Sequence, residues 1–229
     1  MSVAIMQPYF FPYVGYFQLI QAVNVFVIAD DLNYIKNGFI NKNFILLNNE
    51  AFRISLQLKG ASQNKLINEI EVGENASKLL NTIKEAYRKA PYFDDTFPLL
   101  ESILLSKEKN LARYLGNLLI KISKYFGLET TVLFSSEIDK DNDLRFDERI
   151  MDICERLKQD NYINPIGGVE LYDKQNFKDR GMSVHFIVNE TSGYKQFSSD
   201  FIPNLSIIDI MMFNSKDEIK ELLNQYDLV

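Results

Sequence analysis

The sequence predicts an α/β fold: a mostly parallel, Rossmann-like sheet interrupted by a helical insertion at about 75–127. Three observations predict it. Apolar runs at 3–6 and 25–29 flank a helical stretch at 14–22, the spacing of a small βαβ unit. Strand and helix patterns alternate again from 130 onward, and a block of helical periodicity lies between. The 229 residues, 46% hydrophobic and 24% charged, suit one α/β domain spanning 1–229, with no internal repeat and no linker long enough to divide them.

The first run stops at Gln7-Pro8, and the second ends at Asp30-Asp31. Residues 52–58 alternate apolar and polar, as expected of a strand with one wet face. Leu79, Leu80, Ile83 and Tyr87 share one face of a helix over 77–90, and Pro91 and Pro98 punctuate the stretch between it and the next helix. Leu111, Leu115, Leu118, Leu119, Ile122 and Phe126 stripe that next helix, over 110–126, which Gly127 terminates. Beyond it come a strand at 130–134, a helix at 146–158, a short strand at 162–163, a helix capped by Asp173 and ending at Gly181, and a strand at 184–188. Ser206-x-x-Asp209 resembles a capping box, and Ser215-x-x-Glu218 is a full one.

Composition narrows function. A net charge of −6 and a pI near 5.0 tell against binding duplex nucleic acid through a basic face. One histidine and one cysteine leave no His- or Cys-based metal site and no intrachain disulfide. Cys154 falls on the apolar face of its helix and is expected in the core, and His185 in a strand is expected to pack rather than react. Asp139-Lys140-Asp141-Asn142-Asp143 begins like a calcium loop, but Leu144 and Ile150 stand where glycine and glutamate are needed, so it reads as a solvated acidic loop. No stretch is long and apolar enough to span a membrane and no secretion signal opens the chain, so a cytoplasmic location is expected. The sequon Asn189-Glu190-Thr191 would then carry no sugar. Nothing in the residues names a cofactor.

Three segments can carry chemistry. Six of the eleven residues in 7–17 are aromatic, set among Pro8, Pro12 and Gly15 after the first strand. Gln7, Tyr9, Phe10, Tyr13, Gly15 and Tyr16 are candidate ligand contacts, because a stiff aromatic wall suits stacking on a sugar or nucleobase. The plain alternative is that these rings are core. Asp30 and Asp31 can take sugar hydroxyls, position an amine or hold Mg²⁺, or merely form a turn. Downstream, Tyr34, Asn37, Asn41 and Lys42 are candidate contacts, with Lys36 or Lys42 supplying charge to a phosphorylated ligand, although Asn37-Gly38 is itself a turn signal. In the second segment, Asn164, Gly167 and Gly168 offer backbone amides for an oxyanion, with Glu170 as general base. In the third, Tyr194 and Gln196 are candidate contacts ahead of a capped helix.

Several blocks resemble the WbqC-like family. They are Gln7-Pro8-Tyr9-Phe10-Phe11-Pro12-Tyr13-Val14-Gly15-Tyr16-Phe17, the run from Phe26 to Asp31, Asn41-Lys42-Asn43, Ala86 to Phe93, Asn164-Pro165-Ile166-Gly167-Gly168, and Leu205 to Asp209. Phe39 and Lys42 depart from the tryptophan and arginine expected there. The resemblance implies a bacterial protein of O-antigen or other surface-polysaccharide gene clusters, with a glycine-transferring role suggested for the family. The expected function is therefore an acyl- or aminoacyl-transferase that uses an activated donor on a nucleotide-linked sugar. Asp30 or Asp31 would orient the acceptor and Glu170 would take its proton. The alternatives are a nucleotide-dependent ligase or nucleotidylyltransferase, and a non-catalytic carbohydrate-binding protein of the same pathway. A fold-level analogy to nucleotidylyltransferases places Tyr13 or Val14, and Tyr16, where such enzymes carry histidines.

Overall fold

A computed structural model of the chain describes residues 1–190 and 192–229, so the third residue of the Asn189 sequon lies outside the described residues. Strand β1 (Ser2–Met6) leads through a loop into α1 (Val14–Gln21) and β2 (Val25–Ile28). A hairpin of β3 (Lys42–Leu47) and β4 (Glu50–Ser55) comes next, then the short pair β5 (Leu58–Lys59) and β6 (Glu71–Val72). Helices α2 (Ala76–Tyr87), α3 (Phe93–Leu104) and α4 (Leu111–Phe126) precede β7 (Thr131–Phe134). The parallel part is completed by α5 (Phe146–Arg156), β8 (Asn161–Pro165), α6 (Lys174–Asp179) and β9 (Ser183–Asn189). Helices α7 (Ile207–Phe213) and α8 (Lys216–Leu223) lead to β10 (Tyr226–Leu228).

The central sheet runs β10-β9-β8-β1-β2-β7, parallel except where β10 returns antiparallel to β9. Taken in chain order, the five parallel strands lie third, second, first, fourth, fifth, the order of doubly wound nucleotide-binding sheets. Side chains alternate across the pleat. Val3, Ile5 and Val27 face a layer built from Met151, Ile153 and Cys154 of α5 and Phe177 of α6. Ala4, Phe26 and Ile28 face the larger layer to which α1, α4, α7 and α8 contribute. Cys154 is buried in the α5–α6 layer, as expected, and burial pushes its thiol up to about 12.

Helix α4 forms where its stripe predicts. The Asn110 carboxamide oxygen accepts from the Arg113 amide at 3.1 Å, and Gly127 ends the helix at φ 76°. This helix packs on the sheet and is the last of three, α2 to α4, that fill the 75–127 stretch between β2 and β7; an unforeseen β3–β4 hairpin precedes them. That hairpin turns at Asn48 and Asn49 (φ 53° and 60°), residues that tolerate the left-handed region. The expected strand at 52–58 breaks after Ser55, and Pro98 lies inside α3 rather than at its end. The Ser215–Glu218 capping box forms. The Ser206 hydroxyl accepts from the Ile208 amide, but Asp209 turns away into the core. No helix among the described residues is long and apolar enough to cross a membrane.

Gly116 sits where α4 meets the sheet. A Cβ there would lie 2.3 Å from Phe134 Cζ and 3.1 Å from Ile28 Cδ1. Gly116→Ala is therefore expected to cost about 1–3 kcal/mol by overpacking, read as a lowered thermal midpoint. Phe134→Leu in that background should recover part of the loss.

Candidate functional site

Strand β1 pairs with β2 as far as Met6 opposite Ile28, and β8 with β9 as far as Pro165 opposite Ile187. Between themselves, β1 and β8 pair only at Ser2–Asn161 and Val3–Tyr162. The two central strands thus part toward their carboxyl ends, at the point where strand order reverses and open α/β sheets take ligands. The aromatic loop, the aspartate pair and the double-glycine turn leave the sheet at this same edge, after β1, β2 and β8 respectively.

Within the aromatic loop the rings divide. Phe10, Phe11, Tyr16 and Phe17 are core, which removes Phe10 and Tyr16 from the candidate wall: neither ring has surface to offer. The Tyr16 hydroxyl is spent on the Gln7 carbonyl at 2.8 Å, which also fixes half-buried Gln7. Phe11 adopts φ 44°, a costly conformation for a bulky residue. Its carbonyl accepts from Asn43 Nδ2 at 2.7 Å and Ser206 Oγ at 2.8 Å, which hold the bend. Tyr9 and Tyr13 remain half-exposed, and burial raises both hydroxyls, Tyr13 adding to the effect on Tyr9. The Tyr9 ring lies 5.9 Å from Phe39, which is 46% exposed. Gly15 is required by close approach, since a Cβ would lie 2.4 Å from the Tyr13 ring and 2.8 Å from the Asn189 carboxamide.

The aspartates are engaged within the protein. Asp30, 1% exposed, accepts from the Ser136 amide (2.9 Å), the Ser136 hydroxyl (2.6 Å) and Asn68 (3.5 Å), so it straps the end of β2 to the turn after β7. Asp31 pairs with Lys140 at 2.7 Å and Arg149 at 2.6 Å. Burial pushes the Asp31 carboxyl up, but hydrogen bonding to Lys140 and the charges of Arg149 and Lys140 outweigh it and hold the group below its ordinary value. Orienting an acceptor is therefore a poor fit for either carboxylate, and a divalent ion on Asp31 would meet two cations. Lys140, expected in a solvated loop, is buried and also donates to the Ser135 carbonyl. Among the described residues, the Nε and Nη1 hydrogens of Arg149 have no partner, leaving donors suited to a phosphate.

The double glycine opens a 3₁₀ turn, Ile166–Leu171. A Cβ at Gly168 would lie 2.1 Å from Asn164 Nδ2, so the Asn164 carboxamide would have to move, whereas nothing stands within 4 Å of one at Gly167. Glu170 is exposed on this turn, and Asn164 is buried, accepting from the Tyr162 hydroxyl at 3.1 Å. Tyr162 and Tyr172 meet hydroxyl to hydroxyl at 3.2 Å. Burial raises both hydroxyls; Tyr172 beside it raises that of Tyr162 further, while the hydrogen bond with Tyr162 works against burial at Tyr172. Nothing in the sequence marked this tyrosine pair or Arg149, since each sits in an ordinary apolar or helical pattern.

The remaining candidates scatter. Tyr34 is buried and donates to Asn41 at 2.9 Å, and Asn41 in turn holds the Leu56 carbonyl, so both are struts. Asn37 is exposed and Lys42 half-buried. Gln196 is buried and brackets Ile202 through both ends of its carboxamide. With Tyr194 and Tyr87 it donates to Asp209, at 2.7, 2.6 and 2.7 Å respectively. Burial raises the Asp209 carboxyl despite these three donors. Tyr194 also borders a hollow of about 190 Å³ with Tyr13 and Asn189.

The chain is similar over 97% of its own length, at 27% identity across 227 residues, to Uncharacterized protein Rv1507c of Mycobacterium tuberculosis, 97% of which is covered. No solved structure matches it. The profile of the WbqC-like protein family matches residues 7–221, nearly the full length of this α/β chain, which therefore belongs to that family.

Proposed function

We propose that the protein is an acyl- or aminoacyl-transferase, with glycyl among the groups it carries, acting on a nucleotide-linked sugar in O-antigen or surface-polysaccharide biosynthesis. One observation carries the reading: at the parted ends of β1 and β8, half-exposed Tyr9 and Tyr13 on one loop share a sheet edge with Gly167 and Glu170 on the other. Aromatic faces stack on sugar or base, and Arg149 has donors left for a phosphate. The acceptor amine or hydroxyl attacks the acyl carbonyl while Glu170 takes its proton. The Gly167 and Gly168 amides stabilise the oxyanion, and the donor's oxygen or sulfur leaves as the carbonyl re-forms. Asp30 and Asp31 act by holding the frame.

Purified protein is incubated with amino-sugar nucleotides and glycyl donors, as tRNA ester or thioester, and products are weighed by mass spectrometry. A gain of one acyl group is expected, and Glu170→Gln should slow it about 10²-fold or more with thermal stability unchanged. No gain across the donor panel would end the transferase reading. The strand order supports a second reading, a nucleotide-dependent ligase or nucleotidylyltransferase. It requires Mg²⁺-dependent binding of ATP or CTP in calorimetry. Binding of the sugar nucleotide with no chemistry would instead indicate a carbohydrate-binding protein.

A further inference from the structure

We propose that the hollow between Tyr13 and Tyr194 is a binding subsite for an uncharged pyranose ring, which extends the nucleotide-sugar reading by saying where the sugar sits. The hollow of about 190 Å³ is small beside the roughly 300–1,000 Å³ of sites that take drug-sized molecules, so it suits a single ring. Its described lining is neutral. Tyr13, Tyr194 and Phe201 supply aromatic surface, and Asn189 and Asn204 supply carboxamides, with no ionisable carboxylate or amine among them. A charged ligand would enter there without a counter-charge, whereas a sugar brings apolar C–H faces for the rings and hydroxyls for the amides.

The neutral polar groups come from three separate elements, which favours a ligand with hydroxyls around its perimeter. Tyr13 stands at the start of α1, Asn189 ends β9, and Asn204 lies in the segment before α7. The hollow is also braced. Asn189 Nδ2 donates to Gln18 Oε1 at 2.6 Å, which leaves its carboxamide oxygen to accept. Asp209 fixes the Tyr194 hydroxyl from behind, so that ring is a set wall. Asn204 holds φ 58°, a left-handed conformation that presents a carboxamide at a position glycine would occupy more easily.

The test is saturation-transfer NMR on the full chain with methyl glycosides of glucose, galactose and N-acetylglucosamine, and with AMP and UMP as comparison ligands. At least one glycoside should receive saturation. Asn204→Gly keeps the backbone conformation while removing the carboxamide, and it should weaken that binding at least tenfold at an unchanged or higher melting temperature. Tyr13→Ala should do the same by removing a ring face. Silence from all three glycosides, or undiminished binding in both variants, overturns the assignment, as does saturation of the nucleotides alone. Glycoside binding without any acyl transfer would keep this subsite and discard the transferase, whereas transfer that proceeds unaltered in Asn204→Gly would do the reverse.

Discussion

Asp31→Asn is expected to cost about 3–5 kcal/mol at neutral pH, because it strands Lys140 and Arg149 as adjacent cations with little access to water. The Lys140 side chain is only 2% exposed and has no other carboxylate within ion-pair distance among the described residues. The pH dependence has a definite sign. The folded carboxyl lies below its ordinary value of 3.8, so its contribution is complete above that value and is lost as the pH falls through the lower folded one. Urea unfolding should therefore show a wide gap between wild type and variant at neutral pH that closes in strong acid. An equal gap at both ends would mean that the damage lies in packing rather than charge.

Asp209→Leu should cost at least about 3 kcal/mol, since it orphans donors from Tyr87, Tyr194 and Gln196 at roughly 1–3 kcal/mol each, with partial recovery as Tyr194 turns to solvent. Tyr87→Phe in the same background should add less than it costs alone, because the hydroxyl has by then lost its acceptor. Here the pH effect runs the other way. A carboxyl raised by burial favours the folded state most when protonated, below 3.8, and that contribution fades as the pH rises through the folded value. Wild type should thus lose less stability in mild acid than its Asp31 pair alone would dictate. Chemical denaturation of the single and double variants measures both effects.

Periodicity carried most of the fold because burial on a sheet face or helix stripe imposes a repeat. The stripe from Leu111 to Phe126 is such a repeat, whereas the runs ending at Met6 and Ala29 are contiguous because both faces of β1 and β2 are covered. Of the β3–β4 hairpin, the alternation over 52–58 marked the strand that begins as β4, whereas β3 escaped because 44–47 is a contiguous apolar run with no alternation. Strand β10 is a three-residue edge with a single half-buried position. In the candidate site, the segments were legible but the division of labour was not. Tyr9 and Tyr16 belong to one aromatic run and touch at 5.5 Å, yet Tyr9, in the loop, keeps part of its ring at the surface while Tyr16, in the first turn of α1, is buried against Phe26. Asp30 and Asp31 look alike on paper, and only the return of residues 135–149 over the end of β2 decides that both are consumed within the protein. Asp209 looked like a capping residue, and its three donors arrive from 15, 13 and 122 residues away.

The bend at Phe11 bears on how the chain matures as it is synthesised. Its carbonyl is gripped by residues 43 and 206, and Gln18 of the adjoining helix reaches the carbonyls of Leu222 and Gln225. A left-handed phenylalanine costs of the order of 1–3 kcal/mol and persists only while its neighbours enforce it. On the ribosome Asn43 follows soon after, but Ser206, Leu222 and Gln225 emerge last, so the first loop made is among the last to set.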